Sequence, residues 1–522
     1  MENNKINDVM NQSKYYVLFF FVFSILLALM SGGYKLPLLY DNQHYFYMSE
    51  RVASGVPPHI SHFDPKTALT AMISGSVIFL GRIIGLNDLY SAVTVSLSVM
   101  GAIVGLIWIV TYYLTGNKRA SSFAAFSMLS YFGFVLQGAM GSRPKIFMIL
   151  FMLLCYLFFF RKKYSYAGLF AGCAYMCWQP ALIVFMSLLI SVGLSDRNRI
   201  KKNIIKTAAG FFAVVILYEL YFIFAGAIRE QMLQEYYFIV KYMRTGEKES
   251  FGEALKRIRS IWVFGVGKFN FLPLTLLYAA VMHTYAAIRN KTLDPQLYSA
   301  KLHIGKAGKA GGKLRGGVIR KSGMNWFFIY LTMLGFMFFF WSDHQGYPDV
   351  LMILPFVAIM SGWSVEHLSM ILSGKLSRAF RYLPHNIAVM ILLVQIFSGL
   401  SKIIPPYTLK QQYELAADVK QLNERYGDIY SIGCTHLLAF NRYDNWLNYG
   451  FFFRGVDAFI RDSSGGRQFT PEKNGIWPNV ILLSREIPEG IEKWLGRYTD
   501  ITTELFLRNE IRVFLLKNTE KH

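Results

Sequence analysis

An aspartate follows the first apolar run of this chain and opens the stretch Tyr40-Asp-Asn-Gln-His-Tyr-Phe-Tyr-Met-Ser-Glu-Arg51. A carboxylate just outside a membrane can take the proton of a hydroxyl that attacks a lipid-anchored donor, which makes Asp41 a candidate general base. The same residue at the head of a helical stretch can accept a backbone N–H as an N-cap, and one side chain can do both jobs. Glu50 and Arg51, later in the stretch, read as its solvated face. Gly141-Ser-Arg-Pro-Lys145 carries two cations and no acid. Arg143 and Lys145 suit a phosphate, Arg through bidentate hydrogen bonds; the alternative is snorkelling of basic side chains at an interface. Ser342-Asp-His-Gln-Gly-Tyr-Pro-Asp349 places titratable groups between two apolar runs. His344 is a candidate for a donor phosphate or for orienting an acceptor, with Asp343, Gln345 and Asp349 as substrate contacts; Gly346 and Pro348 suit a turn. Lys241 and Arg244 are further phosphate candidates. Tyr237, at helical spacing from Lys241, offers a face on which a sugar can stack, or belongs to an interfacial aromatic belt. Gln179, in Trp178-Gln-Pro180, either faces a cavity between two short apolar runs or packs among them.

These residues need a membrane scaffold. Apolar residues make up 54% of the 522 and charged residues 16%, against roughly 25% charged in soluble proteins. Too little charge remains to coat several soluble domains, and a disordered chain, a coiled coil and a collagen-like fibre are excluded. Lys plus Arg is 54 and Asp plus Glu is 32, so the excess is 54 − 32 = +22. In an apolar chain such an excess points to cytoplasmic loops rather than nucleic acid. Segments 116–119, 161–163, 197–206, 289–321 and 375–381 are rich in Lys and Arg; the fourth holds nine basic residues and the single acid Asp294. With these five inside, about eleven transmembrane helices alternate regularly, near 15–30, 88–113, 120–140, 145–160, 165–177, 180–194, 207–226, 260–287, 325–341, 350–371 and 386–401. The N-terminus is then cytoplasmic, and the first run is a retained span rather than a signal peptide. Counting 67–85 as a full span inverts every later loop, so 34–85 reads as one external excursion whose second helix lies on or dips into the membrane. The division is a membrane domain over 1–402, with a basic cytoplasmic loop at 289–324, and a polar tail over 403–522. The tail has strand-like runs at 429–434, 480–483 and 511–516 and helical segments at 408–425 and 488–496, enough for a small extracytoplasmic α/β domain. Cys155, Cys173, Cys177 and Cys434 form no disulfide framework and no metal spacing. No repeat appears at solenoid periods.

An acid after the first span, then Tyr45, Ala53-Ser-Gly55, Pro57-Pro58 and an apolar segment resembles the first external loop of the GT-C glycosyltransferases. The resemblance continues through Gly141-Ser-Arg-Pro144 and Ala167-Gly-Leu-Phe-Ala-Gly172 to Trp178-Gln-Pro180, and is strongest to the bacterial and archaeal dolichyl-phosphate-mannose-type mannosyltransferases. It implies an all-α polytopic membrane fold with a first loop of juxtamembrane helices. It also implies Asp41 as the catalytic acid of that loop, with Tyr45 among the substrate contacts. Many of these relatives carry an acid in the second external loop, sometimes as Asp-x-Asp with a metal. Here Gly141-Ser-Arg-Pro-Lys145 stands instead, which argues against a bound Mg²⁺ or Mn²⁺.

The expectation is an integral enzyme of the cell membrane. It moves a hexose of mannose type, with inversion, from a polyprenyl-phosphate-linked donor to an extracytoplasmic hydroxyl on a glycan, lipid or protein. Membrane lipids are the remaining partners; neither a cofactor nor nucleic acid is expected. The competing class is a transporter or flippase of a lipid-linked glycan, for which inverted repeats and mid-span charges are the usual signs.

Overall fold

Helices fill the apolar segments wherever the chain is described. The computed structural model describes residues 2–39, 41–195, 199–242, 272–288, 325–339, 347–373, 382–400, 408–447, 477–484, 489–502 and 511–517, with the single positions 252, 256, 456 and 459. The order begins α1 (Glu2–Met30), α2 (Asp41–Ala53), α3 (Leu69–Ile83), α4 (Asp88–Thr115), α5 (Lys118–Ser130), α6 (Phe132–Ala139), α7 (Pro144–Phe160), α8 (Tyr164–Cys177), α9 (Leu182–Ser195) and α10 (Ile200–Phe224). Helices over Leu272–Ile288, Asn325–Phe339, Leu354–Ser373 and Leu383–Leu400 follow. Among the described residues, Lys14–Lys35, Asp88–Thr115 and Ile200–Phe224 are long and apolar enough to cross a membrane. The pair α5–α6, bent by 69°, makes a fourth if it is one span. Others, such as α7 with 17 residues, are shorter. At about 1.5 Å per residue, 17 residues span roughly 25 Å, less than the roughly 30 Å hydrocarbon core. Among the described residues, length and composition by themselves mark three or four of the eleven crossings expected from hydropathy and charge. The bend has a local cause: Ser127 and Ser130 return their hydroxyls to the carbonyls of Phe123 and Ser127, both at 2.8 Å, just before Tyr131 leaves helical geometry.

Small residues set how closely the helices approach. A Cβ on Gly168 of α8 would lie 2.0 Å from the Thr207 carbonyl oxygen of α10, and one on Gly210 would lie 2.0 Å from that of Ser165. Gly172 meets the Phe211 carbonyl in the same way, at 2.9 Å. Gly362 does the same against Ala120 of α5, at 2.2 Å. The stretch Ala167-Gly-Leu-Phe-Ala-Gly172 is thus the face on which α8 and α10 lie backbone to backbone.

The first loop is built inward. Helix α2 is buried along nearly its whole length, Glu50 and Arg51 included. Expecting a solvated face there was wrong, because those charges are partnered by other elements. Glu50 accepts from Arg51 at 2.8 Å and from Arg82 of α3 at 2.7 Å. Arg82 also holds Asp88 of α4 at 2.8 Å, and Arg51 reaches Asp444 of the tail. Helix α3 packs beneath α2, with Gly75 against Val52 and the Ser49 carbonyl.

The tail contains helix Leu409–Tyr426, opened by a Thr408/Gln411 capping box, and a four-stranded sheet. Strands β1 (Ile429–Ile432), β2 (Val480–Leu483), β3 (Tyr498–Asp500) and β4 (Arg512–Leu516) lie in the order β1-β2-β4-β3. β1 and β2 are parallel, while β4 runs antiparallel to both β2 and β3. β3 has only three residues and was not anticipated. The sheet shares a core with the first loop: Phe63 packs with Phe238, Tyr430, Ile481 and Phe514. Gln412 donates to the Leu38 carbonyl at 2.8 Å and accepts from the Leu38 amide at 2.9 Å, and the Tyr47 hydroxyl accepts from the Asn445 amide at 2.8 Å.

Candidate functional site

Asp41 is the first residue of α2, so it sits within the first helical turn rather than at the N-cap position. Its side chain, 37% exposed, stands beside the buried Arg143, which leads into α7 behind Gly141 (φ 107°). Arg143 donates to Asp41 Oδ2 at 3.4 Å and to Asn42 Oδ1 at 3.2 Å. Burial alone would raise the Asp41 pKa. The positive charges of Arg143, Lys66, His44 and Lys145 outweigh it and hold the carboxyl below the usual aspartate range. The segments 34–85 and 141–145 therefore meet through an acid and its surrounding cations.

Lys66 comes from the segment His59-Ile-Ser-His-Phe-Asp-Pro-Lys66 that joins α2 to α3. Its ammonium donates to the Tyr45 hydroxyl at 2.8 Å and lies 5.2 Å from the centre of that ring. Burial works against its charge, but Tyr45, Asp64 and Asp41 outweigh this and raise its pKa. The Tyr45 phenol is pushed up to about 12, chiefly by burial, so it stays neutral. Asp64 accepts from the Lys66 amide at 2.9 Å and from His44 at 3.3 Å; burial would raise its pKa, and Lys66 with His44 lowers it. His62 packs against His44, and burial followed by the charges of His44 and His59 keeps it neutral.

This segment is held from behind. His59 has left-handed backbone (φ 69°), a conformation that costs a non-glycine residue about 1–3 kcal/mol. It contacts Gln234 at 3.0 Å and Glu235 at 2.8 Å. Those partners sit in a π-helical turn, Leu233–Tyr237, between the short helices Ile228–Met232 and Phe238–Lys241. The turn inserts one extra residue and rotates the acid and the amide inward. Glu235 also accepts from Gln231 at 2.8 Å and from the Tyr218 hydroxyl. Gln179 donates to the Pro65 carbonyl at 2.7 Å, which ties the turn between α8 and α9 to the same segment.

Beside Lys66 opens an apolar groove of about 770 Å³. Lys66, Trp178 and Gln179 form one end; Met186 and Ile190 of α9 face Leu334 and Phe338 of the helix Asn325–Phe339 along its walls. Lys145 lies 4.9 Å from the centre of the Trp178 ring. A long hydrocarbon with an anionic head suits such a groove: the tail replaces lipid contacts, and the head meets cations already assembled.

The candidates from the sequence divide accordingly. Asp41, Tyr45, Arg143, Lys145 and Gln179 gather at or beside the groove's polar end. Lys241 and Tyr237 pair with each other at the exposed surface, at 3.1 Å, away from Asp41's cation set. Arg244, Asp343, His344 and Gln345 lie outside the described residues, as does the side chain of Asp349. Sequence reasoning passed over Lys66, Asp64, His59, His62, His44 and Glu235. The signal was present: two histidines, an acid and a lysine within eight residues that were treated only as a link toward 67–85.

Comparison with known proteins agrees with the first-loop resemblance. Residues 56–220 match the family model of DolP-mannose mannosyltransferase. Solved structures of similar fold include ArnT from Cupriavidus metallidurans bound to undecaprenyl phosphate, 11% identical, TM-score 0.56, over 97% of this chain and 98% of that one. The same protein in its apo state is 12% identical, TM-score 0.56, over 96% and 98%. No curated protein matches the chain by sequence. The chain is therefore GT-C-like in fold, an apolar helical membrane protein with a mannosyltransferase-like segment across its first loop and early helices.

Proposed function

We propose that this chain is an integral membrane glycosyltransferase taking a hexose of mannose type from a polyprenyl-phosphate-linked donor. One observation carries the reading: a partly exposed carboxylate, Asp41, sits among Arg143, Lys66 and Lys145, and Lys66 also lines the apolar groove. The prenyl chain lies in the groove with its phosphate among the cations. An acceptor hydroxyl gives its proton to Asp41 while its oxygen attacks the anomeric carbon. The bond to the phosphate oxygen breaks, and the lipid phosphate leaves as an anion stabilised by Lys66 and Arg143. Attack opposite the leaving group inverts the anomeric centre. Cations fill the place where a metal would otherwise balance the leaving charge, so the transfer runs without one. The donor also tunes the base: its phosphate offsets the positive charge that depresses the Asp41 pKa, so Asp41 becomes more basic when the donor is bound.

The distribution of loops supports the proposed topology, in which eleven helices cross and the tail is extracytoplasmic. Three of the segments expected outside, 34–85, 141–145 and 178–180, meet around Asp41 and the groove. Two of the basic segments expected inside, 161–163 and the described part of 197–206, meet at the opposite end of α8 and α10.

The test is transfer of labelled sugar from polyprenyl-phosphate-mannose in membranes, wild type beside Asp41→Asn. Transfer by the wild type, unaffected by chelator, with a loss of at least about 10³-fold in the variant at equal expression is expected. Undiminished transfer by the variant would remove Asp41 as base. Failure of the wild type with several sugars would remove the donor class.

A further inference from the structure

The far end of α8 and α10 holds a second cavity, of about 480 Å³, lined by Lys162, Lys163, Arg199, Lys202 and Lys206. Across residues 161–206 there are eight basic residues and one acid, Asp196, which lies outside the described residues. Among the described residues, none of the five lining cations pairs with a carboxylate. Five like charges around one cavity repel one another unless an anion joins them. Tyr164, Ser165, Tyr166 and Asn203 complete the lining.

The backbone adds to the same field. Helices α8 and α10 both begin here, side by side, through the Gly168–Thr207 and Ser165–Gly210 contacts. Neither has a side-chain cap or an acid in its first turn. Free N–H groups with the positive ends of two helix dipoles thus face a cavity already lined by cations. Lys162 stands at the left-handed position (φ 56°) that closes α7, where glycine is the ordinary choice. The flanking surface is hydrocarbon: Leu194 and Ile205 are more than half exposed, as is Tyr166.

We propose that this cavity binds the phosphate of an anionic phospholipid headgroup, with the acyl chains against the exposed apolar faces of α9 and α10. The ligand is recognised by charge and by its attachment to a hydrocarbon chain, so a free phosphate makes only half of the contacts. The assignment does not depend on which sugar is transferred.

Purified full-length protein in neutral detergent is titrated with phosphatidylglycerol or phosphatidylcholine, and bound lipid is read by native mass spectrometry. The wild type should retain phosphatidylglycerol selectively. Lys202→Gln with Lys206→Gln should weaken retention by about 5-fold per lysine, on the order of 25-fold together. Lys201→Gln removes an exposed neighbour that does not line the cavity and should leave retention unchanged. Thermal unfolding in phosphatidylcholine checks the fold, and Lys162→Gln alone serves if the double variant is unstable. Equal retention of both lipids, or equal loss in Lys201→Gln and the cavity variants, overturns the site. Thermal stabilisation by inorganic phosphate without selective lipid retention overturns the lipid and assigns the cations to a soluble phosphate.

Discussion

Asp41 and Arg143 come from loops a hundred residues apart, and each decides the other's charge environment. Arg143 is foremost among the charges that lower the Asp41 pKa, so Arg143→Gln should raise it. The carboxylate, ionised above its pKa, would then be lost at a higher pH as acid is added. The acid limb of kcat/KM should move to higher pH, and kcat should fall on the order of 10²-fold as a leaving-group partner disappears. Arg143→Lys should restore part of both. In the wild type the acid limb of kcat should lie above that of kcat/KM, because the bound donor carries the opposing charge. Coincident limbs would show that the donor phosphate does not sit near Asp41. Asp41 and Arg143 were legible because each stands in a short polar break between apolar runs. Lys66 was not, since its meaning depends on the groove beside it, and no local pattern encodes a groove made by α9 and a helix some 150 residues later.

At the scale of elements, the small residues of α8 are accounted for by helix packing. Gly168 and Gly172 hold α10 close, and α8 then delivers Trp178 and Gln179 to the groove. Gly210→Val should destabilise the protein by about 1–3 kcal/mol or more, since the group to be displaced is the Ser165 carbonyl rather than a flexible side chain. Gly193→Ala, where a Cβ meets nothing within 4 Å, is the control, and thermal unfolding of both in one detergent checks the difference. Helix positions were readable from hydropathy, and the tail's β1, β2 and β4 from short β-branched and aliphatic runs. The π turn at Leu233–Tyr237 was not, because one inserted residue leaves the composition of a helix unchanged.

Over the whole molecule, the tail works as a clamp on the first loop. Gln412 holds both backbone groups of Leu38, three residues before Asp41, and Phe63 anchors the segment carrying Lys66 in the sheet's core. Gln412→Ala takes one bond from each backbone group of Leu38, whose carbonyl still accepts from Gln43 at 3.0 Å, and should cost about 1 kcal/mol for each bond lost. Lower thermal stability should accompany a fall in kcat larger than the change in KM, measured by sugar transfer at saturating donor. An unchanged kcat would limit the clamp to a structural role. The polar composition marked the tail as a separate material, yet nothing in its sequence indicated docking onto α2: the contacts are bonds to backbone groups, the Arg51–Asp444 ion pair and an aromatic core, which carry no motif. The strand order adds a consequence in time. β4, the last of the four described strands in chain order, is an inner strand that pairs with both β2 and β3. Neither β2 nor β3 can complete its pairing before β4 has been made, so the loop that carries Asp41, far earlier in the chain, is synthesised long before the sheet that locks it in place.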